Sequence, residues 1–252
     1  MERLAKLVFF VGLAVYFLIA VLARTPAEWG AWIALKSLPG LSLSGVSGSL
    51  WSGRAASAQT FIFGQKVDLG ALQWRLKPWS LLTLNVCADL QSELANGGVC
   101  HGISGNTTVR KALLDQLPVR LFNPPGIQLG GTGNATLQHA VIARDGSLKE
   151  LQGSVSWQQA GINVGTGWFN LGSFAADVTG NDEGGIRAQI QDLEGDFAVA
   201  VQAEFTQGKP LRADGLVTPR DSAPQEIKEA LSAFAEQQDD GSFKIAWPIG
   251  GG

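Results

Sequence analysis

Hydrophobic residues follow three successive patterns along this chain of 252 residues. Residues 7–23 form an unbroken run without a charged side chain, which at about 1.5 Å per residue has the length of a short membrane-spanning helix. From Leu41 almost to the end, apolar and polar residues alternate with a period of two, which is typical of strands with one buried face. A segment around Leu231 returns to helical spacing. The pattern predicts a mainly β protein, in which a single N-terminal transmembrane helix precedes a multi-stranded antiparallel meander with one late amphipathic helix.

The first apolar run also predicts how the chain is placed in a membrane. Positively charged groups are more numerous before the run than immediately after it, where Arg24 is the one basic residue. The positive-inside rule therefore puts residues 1–6 in the cytoplasm, residues 7–23 across the inner membrane as a single-pass anchor, and the remainder in the periplasm. A cleaved signal peptide is the alternative, because Ala23 is a small residue of the kind signal peptidase requires. We prefer a retained anchor, because the run exceeds the roughly 7–15 residues of a signal-peptide core.

A short juxtamembrane helix is predicted within residues 24–40. Trp29, Trp32 and Ile33 follow helical spacing, and Pro39-Gly40 ends the segment. Tryptophans just past a transmembrane helix often lie at the level of the lipid headgroups, which would place this helix on the membrane surface. The alternative is an ordinary helix that packs on the following domain, and the sequence does not decide between the two.

Residues 41–252 are predicted to form a periplasmic β domain, as a curved sheet or a sandwich. Alternation is clearest in residues 151–158, 186–191 and 197–205, and glycine-rich turns separate these stretches. The helical crossovers that parallel strands need are missing from the pattern, which favours antiparallel hairpins.

Three further elements are expected in this domain. Residues 109–122 have the spacing of a short helix that ends near Pro118, and residues 242–247 have the alternation of a last strand. The late helix has a capping residue, Ser222, and a proline in its early turn. Its apolar stripe consists of Ile227, Leu231 and Phe234.

Composition supports an extracytoplasmic β protein. Charged residues make up 16% of the chain, glycine occurs 32 times, and histidine occurs twice. Low charge together with abundant glycine and polar/apolar alternation is more typical of such proteins than of cytosolic enzymes. The formal net charge of −3 argues against nucleic acid as a partner, which would require a basic face.

The two cysteines, Cys87 and Cys100, both follow the predicted anchor. In an oxidising periplasm they can form a disulfide that closes a hairpin and contributes roughly 2–3 kcal/mol. Two unpaired buried thiols are the alternative. A redox or metal role is disfavoured, because no CxxC motif is present and His101 cannot complete a tetrahedral site by itself.

Candidate chemistry is sparse. His101 lies near Ser104, but no Gly-x-Ser-x-Gly motif accompanies them, and His139 continues an apolar strand face. Asp192, Glu194 and Asp196 alternate as in a calcium loop but lack its glycine and terminal glutamate, so a solvated turn is the preferred interpretation. We therefore predict no catalytic, cofactor-binding or metal-binding residue.

Tryptophans in the β domain give stronger signals. They adjoin strand and turn residues, as in Leu72-Gln-Trp74-Arg-Leu76 followed by Pro78, and each can bury on the order of 200 Å². These residues are candidates for core packing or for partner contact: Trp51, Trp74, Trp79 and Trp157.

Taken together, these motifs resemble the type II secretion system protein N family, also called general secretion pathway protein N. The resemblance extends from the basic N-terminus and single anchor to the late helix. It is carried by four motifs in order, which are Leu50-Trp-Ser-Gly53, Leu72-x-Trp74-x-Leu76-x-Pro78, Leu117-Pro118 and Gly153-x-x-x-Trp157. It implies a non-enzymatic inner-membrane protein with a periplasmic domain, and offers no catalytic residue to carry over.

Two functions follow as hypotheses. The first is an accessory role in the type II secretion machine, which exports folded proteins across the outer membrane, through contacts with other components of the inner-membrane platform or the secretin. The second is binding or transfer of lipid or another apolar ligand, if the sheet leaves its apolar face open as a groove. An enzyme with a pocket containing His101 or His139 beside an acid is a more distant third.

Overall fold

A computed structural model describes residues 2–37, 40–62, 65–123, 126–163, 165, 167–181, 183–206 and 208–249. Contacts between residues divide the chain into two compact units, unit 1 (Met1–Glu93) and unit 2 (Leu94–Gly252). Both units are built mainly from antiparallel strands with few helices, which confirms the predicted class.

The part of unit 1 that the structure describes begins with two α-helices and continues with five strands. Its elements are α1 (Glu2–Ala23), α2 (Ala27–Ser37), β1 (Ser42–Ser44), β2 (Ser47–Gly48), β3 (Ser52–Ile62), β4 (Gln65–Leu76), the 3₁₀ helix η1 (Pro78–Thr83) and β5 (Asn85–Gln91). The strands pair antiparallel in the order β1-β3-β4-β5, and β2 also pairs with β3. Within the described residues, no helix combines the length and the apolar character that crossing a membrane requires.

Helix α2 packs on β1, β2 and β3 through its smallest side chains. Ala27 and Ala31 are buried, whereas Trp29 and Trp32 are more than half exposed. The helix thus packs on the domain, and both tryptophan side chains remain exposed to solvent. The predicted stop at Pro39 lies outside the described residues.

The described residues of unit 2 form ten strands in one sheet. Its elements are β6 (Ala95–Gly102), β7 (Thr107–Pro118), the 3₁₀ helix η2 (Val119–Phe122), β8 (Gln128–Ile142), β9 (Leu148–Asn163), β10 (Trp168–Gly180), β11 (Ile186–Glu194), β12 (Phe197–Phe205), β13 (Leu211–Pro219), α3 (Gln225–Phe234), β14 (Glu236–Gln237) and β15 (Phe243–Ile249). Strands β6 to β13 pair in chain order, and β15 then pairs with β13 and β14. This confirms the predicted antiparallel meander.

Strand register gives the unit 2 sheet one apolar and one polar face. One line of paired residues across eight strands, β7 to β13 and β15, is apolar throughout: Leu114, Ala135, Val155, Ala176, Ile190, Val201, Gly215 and Ile245. The adjacent line belongs to the opposite face, because side chains alternate along a strand. That line is polar from β8 to β13: Thr136, Ser154, Asp177, Gln189, Gln202 and Asp214.

Helix α3 covers one part of the apolar face. The core beneath it contains Phe197, Val201, Val217 and Ala223, and the α3 residues Ile227 and Leu231 pack against this core. The predicted helix and two members of its stripe are therefore confirmed, while the Phe234 side chain lies outside the described residues.

Two predictions about helices are wrong. Residues 109–122 form the strand β7 and the short 3₁₀ helix η2, because the segment pairs with β6 and β8 on its two sides. Ser222 does not cap α3. The residue at the N-cap position is Pro224, and the Ser222 hydroxyl donates a 2.6 Å hydrogen bond to the Asp196 carboxylate instead.

Candidate partner-binding site

The apolar face of unit 2 is open where α3 does not cover it. A cavity of about 430 Å³ lies there, and we call it the unit 2 groove. Its apolar lining comes from β7 to β11 and from η2: Leu114, Leu117, Val119, Phe122, Ala135, Val155, Trp157, Phe174, Ala176 and Ile190. The volume falls within the range of about 300–1,000 Å³ that small-molecule sites occupy.

Coverage by α3 accounts for the difference between groove and core. Val155 and Val201 belong to the same apolar line, but Val155 is 43% exposed and Val201 is 8% exposed. The two residues are similar in chemistry and in strand context, so the covering helix is what separates them. The groove is therefore the uncovered continuation of the core.

Trp157 is fixed in the groove by its indole nitrogen. Nε1 donates a 2.8 Å hydrogen bond to the Gly130 carbonyl, and the ring centroid lies 6.2 Å from that of Phe174 in a tilted arrangement. Gly133 is paired with Trp157 and carries no side chain, which leaves space beside the ring. The result is an aromatic surface held in one orientation.

The 3₁₀ helix η2 supplies one wall of the groove. Val119 and Phe122 belong to it, and it packs against β8. A β-carbon at Gly133 would lie 3.5 Å from Val119 Cγ2, so the wall stands in direct contact with the groove floor. Sequence reasoning missed this wall, because the helix is only four residues long and follows a strand that was predicted as helical.

A charged pair lies beside the groove, next to Ile190. Asp192 is paired in register with the groove residue Phe174, and its side chain is only 15% exposed. Its carboxylate accepts a 2.7 Å hydrogen bond from the Val199 amide and a 2.6 Å hydrogen bond from Arg220 Nη2. The predicted solvated turn is therefore wrong at Asp192, which lies within β11 and pairs with the segment leading to α3.

The electrostatic state of Asp192 results from opposing effects. Burial would raise the pKa of its carboxyl, but the hydrogen bond from Val199 and the hydrogen bond and positive charge of Arg220 outweigh it. The pKa of Asp192 is therefore held below its ordinary value, and the carboxylate is charged at neutral pH.

The other tryptophan candidates lie in unit 1. Trp74 Nε1 donates a 3.1 Å hydrogen bond to the Leu50 carbonyl, and the ring lies directly over Gly53, where a β-carbon would meet it at 2.3 Å. Trp51 is half-buried, and its carbonyl accepts a hydrogen bond from Leu76. Trp79 is the exception, because its side chain is 80% exposed. Trp74 thus has a packing role, and Trp79 is available for contact.

The histidines occupy positions on the sheet surface. His139 Nε2 lies 2.9 Å from Glu150 Oε2, with both side chains at least one third exposed, and His101 Nδ1 lies 3.0 Å from the Thr107 hydroxyl. His139 thus has an acid beside it, but neither residue lines the unit 2 groove. Among the described residues, no cluster of three or more histidine, cysteine, aspartate or glutamate side chains is arranged to hold a metal ion.

Within the described residues there is no free cysteine. Cys87 belongs to β5 and Cys100 to β6. The disulfide between them stays a prediction, which a measurement of free thiols in the purified protein can test.

The geometry of unit 2 defines a class: an antiparallel sheet protein with one polar and one apolar face. Helix α3 covers one part of the apolar face, and the unit 2 groove lies where that face is open. Comparison with known proteins identifies its family. Residues 39–246 match the family model described as type II secretion system (T2SS), protein N, and the chain belongs to this family. The resemblance seen in its motifs is therefore confirmed.

Two curated relatives match along nearly their whole length, and both are named Type II secretion system protein N. The protein from Aeromonas hydrophila is 25% identical over 253 residues, which cover 93% of this chain and 96% of the relative. The protein from Vibrio cholerae serotype O1 is 27% identical over 254 residues, which cover 92% and 95%. No solved structure matches this chain.

Proposed function

We propose that this protein is a non-enzymatic accessory component of the type II secretion system, anchored in the inner membrane with its β domain in the periplasm. In this role it supports export of folded proteins across the outer membrane by contacting another component of the machine. Family membership supports the assignment to secretion. The observation that carries the contact is the open unit 2 groove.

The groove has the properties of a protein-binding surface. Contiguous exposed apolar surface is uncommon on soluble monomers and often marks an interaction site. Trp157 and Phe174 present aromatic surface in a fixed position. Aromatic residues are common among the few residues that contribute most of the binding energy in protein–protein interfaces. The matching occupant is an apolar strand or helix face of another secretion component, from the inner-membrane platform or from the secretin.

The anchor proposal rests on the sequence. Residues 7–23 carry no charge, and the described side chains of α1 include exposed Phe9, Phe10, Tyr16 and Phe17. Protease added to intact spheroplasts should digest the β domain, because the proposed topology places it outside the cytoplasm. Protection of the β domain would show that the topology is wrong.

Photocrosslinking in secreting cells tests the groove contact. A photoreactive amino acid replaces Val155 in the groove, and a matched variant carries it at Asp177, which is exposed on the polar face of the neighbouring strand. We expect the Val155 variant to yield an adduct with a secretion-system subunit and the Asp177 variant to yield none. Adducts of equal yield at the two positions, or none with a secretion subunit, would contradict the proposal.

Lipid binding is a second candidate that the groove favours. Its lining is almost entirely apolar and its volume suits a small ligand, so an acyl chain is a chemically reasonable occupant. Ala176 lies on the groove floor, and Ala176→Trp would fill the space. Native mass spectrometry should then show bound phospholipid on the wild-type chain in detergent and less on this variant. Equal lipid content in both would exclude the groove as a lipid site.

A further inference from the structure

We propose that η1 is a second membrane-contacting element of unit 1. Its apolar side chains, together with Leu84, enter the headgroup layer of the bilayer in which α1 is proposed to lie. This inference rests on the proposed anchor and extends it, because it gives the domain a fixed orientation on the membrane.

The apolar side chains of this turn have little contact with the rest of the chain. Trp79 is 80% exposed, Leu82 is 78% exposed and Leu84 is 63% exposed. Three such residues within six positions form a protruding apolar tip, whereas single exposed apolar residues are common.

The polar groups of the turn are satisfied locally. The Lys77 carbonyl accepts hydrogen bonds from both the Ser80 amide and the Ser80 hydroxyl, and the Thr83 hydroxyl donates to the Ser80 carbonyl. The Cys87 amide of the next strand donates to the Ser80 hydroxyl, which ties the turn to β5. A turn that satisfies its own hydrogen bonds can present Trp79 and Leu82 to a lipid interface without leaving these groups unpaired.

Backbone hydrogen bonds place this turn beside the end of α1. The Leu50 amide donates to the Thr25 carbonyl at 2.8 Å, which joins the α1–α2 connection to the start of β3. The Leu76 amide donates to the Trp51 carbonyl at 2.8 Å, which joins the start of β3 to the end of β4, just before η1. Two backbone hydrogen bonds, each spanning about 4.8 Å between neighbouring chain segments, thus connect the residues just after α1 to the residues just before η1.

A bilayer fits this end of unit 1 better than a protein partner does. Helix α2 begins shortly after the proposed anchor ends and carries exposed Trp29 and Trp32, and Trp29 lines a cavity together with Val21 and Arg24 at the end of α1. Tryptophan and leucine beside basic residues are typical of a membrane interface, and Lys36 lies 4.0 Å from the Trp32 ring centroid. Arg24 adds a further positive charge at the end of α1, which suits anionic lipid.

Photolabelling of the full chain in lipid vesicles tests the inference. The vesicles contain phosphatidylethanolamine and phosphatidylglycerol, and a diazirine-bearing amino acid is placed in separate variants at Trp79 and at Leu82. The matched control is Phe61, which is 60% exposed at the far end of β3. It lies about 30 Å along the strand from Ser52, at roughly 3.3 Å per residue.

Mass spectrometry then measures phospholipid adducts at each position. We expect several-fold more adduct at positions 79 and 82 than at position 61. Equal labelling at 61 and 82, or coupling of position 82 to a second copy of the chain in place of lipid, would overturn the inference.

A fourth variant with the probe at Phe17 separates the two levels of the proposal. Lipid adducts at 17 without adducts at 79 and 82 would overturn the role of η1 and leave the anchor standing. Absence of adducts at 17 would overturn the anchor and, with it, the inference.

Discussion

At the residue scale, the Asp192–Arg220 pair ties the segment that precedes α3 to the sheet. Arg220 follows β13 and donates to the Asp192 carboxylate and to the Phe197 carbonyl, while its own amide donates to the Asp196 carbonyl. Asp192 and Arg220 are 28 positions apart in sequence. These contacts hold the segment before α3 on the β11–β12 turn, which directs the helix over one part of the apolar face.

Removing the Asp192 carboxylate should destabilise unit 2. In Asp192→Ala the Val199 amide and the Arg220 guanidinium lose their shared acceptor, so we expect the free energy of unfolding to fall by about 1–3 kcal/mol. Urea denaturation of the full chain in detergent at pH 7 measures the loss. Asp177→Ala, at an exposed carboxylate on the polar face, is the control and should change the unfolding free energy little.

The effect of Asp192→Ala on the free energy of unfolding should depend on pH, and the lowered pKa of Asp192 gives the sign of that dependence. The pKa of Asp192 is lower in the folded chain than in the unfolded chain, so its charge stabilises the fold at pH values above the ordinary carboxyl pKa of about 3.9. This stabilisation is lost as the pH falls through the lower, folded value. The difference in the free energy of unfolding between wild type and Asp192→Ala should therefore become smaller below about pH 4. A difference that stays constant down to pH 2 would contradict this account.

At the element scale, bulges explain where sequence reasoning failed. Leu114 and Leu117 are three positions apart, which is a helical spacing, yet both line the groove from the strand β7. Gln116 between them has a φ of 53°, and the pairing of β7 with β8 shifts register there. A bulge adds one residue to a strand and so interrupts the period of two. The sequence contains no separate signal for such a shift, because the pairing partner sets it.

Gly172 lies at another bulge, and the sheet leaves no space for a larger residue at this position. Its φ is 97°, and a β-carbon would lie 2.1 Å from the Glu194 carbonyl oxygen of the next strand. We expect Gly172→Ala to lower the free energy of unfolding by roughly 2–4 kcal/mol, because backbone strain and a backbone clash add together. Urea denaturation measures it.

Gly146 is a matched control for Gly172. It has a similar φ of 84° in the β8–β9 turn, but a β-carbon there would meet no atom within 4 Å. Gly146→Ala should therefore cost only about 1 kcal/mol, from the backbone conformation alone. Equal losses for the two variants would show that the contact with Glu194 does not matter.

At the scale of the whole molecule, the sequence predicted the architecture better than the binding site. The spacing of apolar and polar residues is a local property. The period of two identified the strands and the antiparallel meander, and the helical spacing identified the late helix. The extent of the groove depends on where α3 lies, and Asp192, which bonds to the segment before α3, was predicted as part of a solvated turn. Trp157 was identified as a candidate, but nothing in its neighbours distinguished it from Trp74, which has a packing role.

The predicted disulfide tests the proposed periplasmic location. If the β domain lies in an oxidising compartment, Cys87 and Cys100 should be bridged. Alkylation of the denatured protein without reductant should then add no group, and alkylation after reduction should add two, as measured by mass spectrometry. Two added groups without reductant would contradict the bridge and remove this support for the compartment.

The pairing of strands in chain order has a consequence for biogenesis. If the β domain reaches the proposed periplasmic side from its N-terminal end while the anchor stays in the membrane, each strand from β7 to β13 can add to the one delivered just before it, which keeps loop-closure entropy small. Strand β15 joins β13 only after α3 and β14 have been delivered. The surface beneath α3 thus stays exposed until the end of translocation, and a nascent chain halted before residue 225 would be a natural substrate for periplasmic chaperones.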